Sequence, residues 1–94
     1  MSDCSKHKKE VAGIKSMAFL ADEIANLHYH SLHELLYHLS KKISADSERD
    51  HEAGREKLAD ALQYASMSIF ESALRMEKVW EVCKPFMNPS TPHQ

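Results

Sequence analysis

Leu58-Ala59-Asp60-Ala61-Leu62-Gln63-Tyr64-Ala65-Ser66-Met67-Ser68-Ile69-Phe70-Glu71-Ser72-Ala73-Leu74-Arg75-Met76 decides the fold class. Its apolar side chains recur at Leu58, Leu62, Ala65, Ile69, Ala73 and Met76, and the run continues to Trp80 and Cys83. Steps of three and four residues keep one stripe on one side of a helix. A second run precedes it: Ile14, Ala18, Ala21, Ala25, His28, Leu32, Leu35 and Leu39. A short polar stretch, Ser44-Ala45-Asp46-Ser47, lies between the two. Two long helical patterns around one break read as an all-α antiparallel hairpin, because a short loop returns the second helix alongside the first.

The chain has 94 residues, the size of one domain, spanning 1–94. Expected boundaries are helix one over about 6–43, a loop at about 44–47, helix two over about 48–84 and an irregular tail from about 86 to 94. Asp3 or Ser5 is the expected cap of helix one. Ser47-Glu48-Arg49-Asp50 resembles a capping box for helix two, and Pro85 ends it. With two glycines and three prolines, all of the latter at Pro85 or beyond, the chain lacks the turn residues a β-rich domain needs. Antiparallel pairing across residues 44–47 sets His28 near Leu62 and Ala65, and Val11 and Ile14 near Met76 and Trp80.

Each helix carries more apolar surface than one partner covers. Helix one adds Met17, Leu20, Ile24 and Leu27, about 100° round from its main stripe. Helix two adds Met67, Phe70 and Leu74. Exposed patches of this kind drive association, each buried Leu, Ile or Phe contributing about 1.5–3 kcal/mol. The expectation is a homodimer forming a four-helix bundle through these seven residues. The competing arrangements are a heteromeric partner, or cover from a third short helix or from the tail with Phe86 and Met87.

Seven histidines invite a search for metal or pH chemistry. His28-Tyr29-His30-Ser31-Leu32-His33-Glu34-Leu35-Leu36-Tyr37-His38 places His30 with Glu34, and Glu34 with His38, one helical turn apart. With a loop at 44–47, His51 and Glu52 return opposite His38, so Glu34, His38, His51 and Glu52 form a conceivable transition-metal site. Neither HExxH nor a paired ExxH supports it, and solvated helix faces account for the same residues. His28, on the core stripe, has the readings of haem ligand, buried pH sensor or hydrogen-bonded core histidine, the last being the ordinary one. Catalysis has no motif: there is no nucleophile elbow or glycine-rich phosphate loop, and no cofactor is implied.

Net charge of −2 argues against general nucleic-acid binding, although Lys6, Lys8, Lys9 and Lys15 with His7 form a local basic arm. No apolar run approaches the ~18 residues of a membrane span, and no signal-peptide core follows the N-terminus. Cys4 and Cys83 make no disulfide framework, consistent with reduced thiols in a cytoplasmic protein. The functional expectation is a small non-enzymatic, self-associating protein that binds other proteins as a regulator, adaptor or inhibitor. A His/Glu metal-binding bundle and a nucleic-acid-associated regulator are the alternatives.

Overall fold

The computed structural model describes residues 7–86. Among them the regular elements are helices: α1 (Met17–Ala25), α2 (Tyr29–Glu52), α3 (Glu56–Cys83) and a closing 3₁₀ turn (Lys84–Phe86). α2 and α3 pack antiparallel along their lengths, whereas α1 makes no extensive contact with either. No helix of the described residues is long and apolar enough to cross a membrane.

The turn between the long helices lies at Ala53–Arg55, not at 44–47. Gly54 adopts φ +83°, in the left-handed region where only glycine is unstrained. The Arg55 amide donates to the Asp50 carbonyl (2.8 Å) and the Gly54 amide to the His51 carbonyl (3.0 Å). These are the paired bonds of a Schellman motif, which satisfy carbonyls left over at the end of α2. The Arg55 side chain returns to Asp50 at 2.6 Å, and His51 Nδ1 meets Glu56 Oε1 at 2.6 Å. Residues 44–47 stay helical, and Asp46 and Ser47 find partners from within the helix. Lys42 and Arg49 flank Asp46 at one turn on either side and bond its carboxylate, and Ser47 turns inward against α3.

The first expected helix is also divided. Gly13 sits at φ +79° in a turn closed by the Ile14 amide on the Val11 carbonyl (3.0 Å), and residues 7–15 are not helical. Ser16 caps α1 by accepting from the Phe19 amide (3.1 Å). α1 stops at Asn26, a residue whose side chain competes with helical bonding and favours helix ends. His28 then caps α2, its Nδ1 accepting from the His30 amide at 3.1 Å. At the other end α3 stops at Cys83, just ahead of Pro85, where the sequence places the stop. The suggested Asp3 or Ser5 cap, Cys4, Lys6 and most of the C-terminal tail fall outside the described residues.

The seam between α2 and α3 is built from small side chains. The buried residues are Ser40, Ser47, Ala59, Ser66 and Ala73; no Leu, Ile, Phe or Met among the described residues is fully buried. They repeat every seven residues, His33, Ser40 and Ser47 facing Ala73, Ser66 and Ala59 in turn. At each layer a side chain crosses to the other backbone. Ser47 Oγ donates to the Ala59 carbonyl (2.6 Å), Ser66 Oγ to the Ser40 carbonyl (2.8 Å) and His33 Nδ1 to the Ala73 carbonyl (2.7 Å). A serine hydroxyl reaches a neighbouring helix carbonyl only when the backbones lie close, which Ala and Ser at every layer allow. Each such carbonyl has a second lone pair free beyond its helical bond.

This seam moves the expected pairing by about four turns, setting His28 level with residue 78. His28 does not face Leu62 and Ala65. It is exposed, with its ring 4.5 Å from that of Trp80. Of the stripes read as the contact between the two helices, Ala73 lies in the seam, Leu32, Leu39, Leu58, Leu62, Ile69 and Met76 flank it, and Ile14 to Ala25 precede α2.

Two substitutions test the seam and the turn. Ser66→Ala removes one crossing hydrogen bond and is expected to cost about 1 kcal/mol, whereas Ala73→Leu overpacks the closest part of the seam and is expected to cost about 3 kcal/mol. Gly54→Ala is expected to cost about 1–2 kcal/mol through its positive φ. Urea denaturation followed by circular dichroism measures all three.

Candidate interaction faces

Fixing the seam assigns every other position to a side of the hairpin. On the first side, α2 contributes Leu32, Leu36, Leu39 and Ile43, and α3 contributes Leu58, Leu62, Ile69, Met76 and Val79. Most of these are only half-covered, and Leu39 and Val79 are exposed. Ser72 is the one polar side chain in their midst. Towards the turn the apolar surface ends at Asp46 and Asp50, whose charges are met within the chain by Lys42, Arg49 and Arg55. The Lys42 hydrogen bond, with Arg49 adding to it, holds the Asp46 carboxyl below its ordinary value of 3.8, against a weaker opposing effect of burial.

The second side is different in character. Tyr37 meets Phe70 with ring centroids 6.1 Å apart, and Lys41 Nζ sits 5.8 Å above the Tyr37 ring. Met67, Phe70 and Leu74 are 55%, 41% and 48% exposed. Three shallow hollows of about 390, 320 and 390 Å³ follow one another along this side, from the turn to the open end. Their walls carry Glu34, Glu48, Glu52, Asp60 and Glu77, but Lys41 is the one lysine and no arginine lines them.

Of the seven residues expected at an interface, Met67, Phe70 and Leu74 thus share one open surface. Met17, Leu20 and Ile24 are on α1 and Leu27 is in the α1–α2 connection, so the structure does not place them along the long hairpin. The sequence reading missed the first side as a surface, because Leu32, Leu39, Leu58, Leu62, Ile69 and Met76 had been assigned to the helix–helix contact.

The expected metal cluster does not form. Glu34, His38, His51 and Glu52 all belong to α2. His51 lies 13 residues beyond His38 on that helix, about 20 Å along its axis. Among the described residues no three His, Cys, Asp or Glu side chains converge as a metal site. His30 Nε2 is 3.8 Å from Glu34 Oε2, and the His30 and His33 rings are 6.1 Å apart. Because a carbonyl can only accept, His33 Nδ1 carries the proton it gives Ala73, so this histidine is a structural donor. Similarly, His28 Nδ1 must be unprotonated to cap α2. Lys8, Lys9 and Lys15 are exposed and precede α1, and Cys83 is a half-buried free thiol.

Compared with family models, curated proteins and solved structures, the chain matches none.

Asp46 gives the turn end of the first side a definite pH response. Its depressed carboxyl contributes stability above the ordinary value near 3.8, and that contribution is lost as pH falls through the lower folded value. Asp46→Asn is expected to melt at a slightly lower temperature than the parent at pH 7. The difference should close in acid below 3.8, as read from thermal melts across pH.

Proposed function

We propose that this protein is a non-enzymatic helical interaction protein that self-associates through the Leu/Ile-rich side of the α2–α3 hairpin and acts by binding other proteins. The observation behind this reading is the mismatch between the seam and its flanks. The helices meet through Ala and Ser, while Leu, Ile and Met side chains are left half-covered beside them. The extents of the fold, 54 × 29 × 14 Å, describe a slab whose smallest dimension is little more than one helix. A stable domain buries its apolar faces between two layers. Among the described residues no second layer covers this side, and a second hairpin laid face to face would supply one as a four-helix bundle.

The available surface suits that role. The paired helices run together for roughly 36 Å and are roughly 20 Å wide, which gives about 700 Å² per chain. Stable associations bury about 800 Å² per partner. Completing the burial of eight or nine half-covered Leu, Ile and Met side chains at about 1 kcal/mol each is comparable with the whole stability of a small domain. The self-neutralised acids at Asp46 and Asp50 sit at the edge of this surface, so burying it strands no unpaired charge in its centre. Regulator, adaptor and inhibitor roles all fit such a bundle.

Sedimentation equilibrium checks the reading. The chain is expected to show concentration-dependent dimer formation in the micromolar range, and Leu62→Glu with Ile69→Glu to shift it to monomer while helicity is retained. A parent chain that stays strictly monomeric at high micromolar concentration would rule self-association out.

A further inference from the structure

The second side of the hairpin has a chemistry of its own. We propose that the groove centred on Tyr37 and Phe70 docks an amphipathic helix of another protein whose apolar stripe is flanked by lysine or arginine. This goes beyond self-association and does not depend on it, because the two sides of the hairpin share no surface residues.

The shape favours a helix as occupant. Two parallel rows of side chains, one from α2 and one from α3, leave a trough between them, and a third helix packs its ridge into such a trough. The apolar floor is offered by Met67, Phe70 and Leu74, with Tyr37 across from Phe70. Met67 to Leu74 spans about two turns, the length that matches anchors at i, i+3, i+4 and i+7 on a docked helix.

The charge decides which helix. Five carboxylates line the three hollows against one lysine. Glu48, Glu52, Asp60 and Glu77 form no ion pair among the described residues. This is the reverse of the first side, where each acid at the edge has its cation within the chain. A second copy of this chain docking here would set carboxylates against carboxylates, which costs affinity and selects against self-pairing. A partner with cations on both flanks of an apolar stripe meets the rim on both walls, and its apolar anchors meet the floor.

The experiment uses the full chain and two synthetic 18-residue helices with one leucine pattern, one with lysines on the flanks and its isomer with glutamates there. Each is fluorescein-labelled and titrated by anisotropy. The lysine peptide is expected to bind, to weaken several-fold between 50 and 300 mM salt as exposed charges are screened, and the glutamate isomer not to bind. Phe70→Ser is expected to lose at least about tenfold in affinity, and Glu34→Gln with Glu77→Gln about threefold, with the sedimentation behaviour of both unchanged. Equal binding of both peptides, or parental affinity in Phe70→Ser, overturns the proposal. So does a Phe70→Ser chain that loses self-association, since that would make this side the self-interface. Peptide binding by a chain that sediments as a monomer supports the groove and refutes only the proposed bundle.

Discussion

Everything in this hairpin depends on how closely α2 and α3 approach. Ser47, Ser66 and His33 each reach across and bond a carbonyl of the opposite helix, at layers spaced seven residues apart. Those bonds need the backbones to be near each other, which an Ala or Ser on at least one of the two helices permits at each layer. The seam is therefore polar in its atoms and dry in its position. Its crossing bonds are directional where a Leu seam would be tolerant, so they define the rotation of each helix about its axis. Large apolar side chains are excluded from the contact as a direct consequence. They can only stand to either side, half against the neighbouring helix and half in the open.

That exclusion turns one structural element into two surfaces of unlike chemistry. One side collects Leu, Ile and Met with its boundary acids already neutralised. The other concentrates a few aromatic and aliphatic anchors among carboxylates of which four, Glu48, Glu52, Asp60 and Glu77, form no ion pair among the described residues. Identical surfaces facing each other are tolerable for the first and costly for the second. The asymmetry is the physical basis of the proposed division of labour, in which self-association and the capture of a partner would use different sides. It also accounts for α1 standing apart: nine residues, about 13 Å of helix, are too short to cover either side.

The helical class, the hairpin and the stop before Pro85 were legible because apolar spacing and proline act locally. The turn was not. Ser44, Asp46 and Ser47 read as a break from composition, yet Asp46 is satisfied by Lys42 and Arg49 and Ser47 by the Ala59 carbonyl, and only the last of these requires knowledge of the fold. Gly54 held the competing signal. A glycine followed by a fresh acidic helix start marks a Schellman end, but an isolated glycine within a helical pattern is also tolerated. Misplacing the turn then misplaced the metal candidates, since His51 and Glu52 were carried to the wrong helix. The seam itself was visible as Ser40, Ser47, Ala59, Ser66 and Ala73 at heptad spacing. It was overlooked because a larger apolar stripe lay beside it, and spacing alone does not say whether helices meet through their largest or their smallest side chains.

Seam and turn together select one alignment where either alone would leave several. Heptad spacing makes the seam nearly self-similar. Sliding α3 by seven residues would set Ser47 against Ser66 and Ser40 against Ala73, again small against small. It would also bring Trp80 to His33, where no close approach is tolerated, and it would put seven more residues between the helices. The turn resists that slip from the other end: Gly54, the two Schellman bonds and the Asp50–Arg55 pair close the chain in three residues. Trp80 consequently rests beyond the last small layer, against His28 at the start of α2, where the helices have room to part. The bulky end and the tight end thus fix the register jointly. The composition of the two outward surfaces follows from that register, because a slip of even one residue would rotate Leu62 and Ile69 off one side and Phe70 off the other.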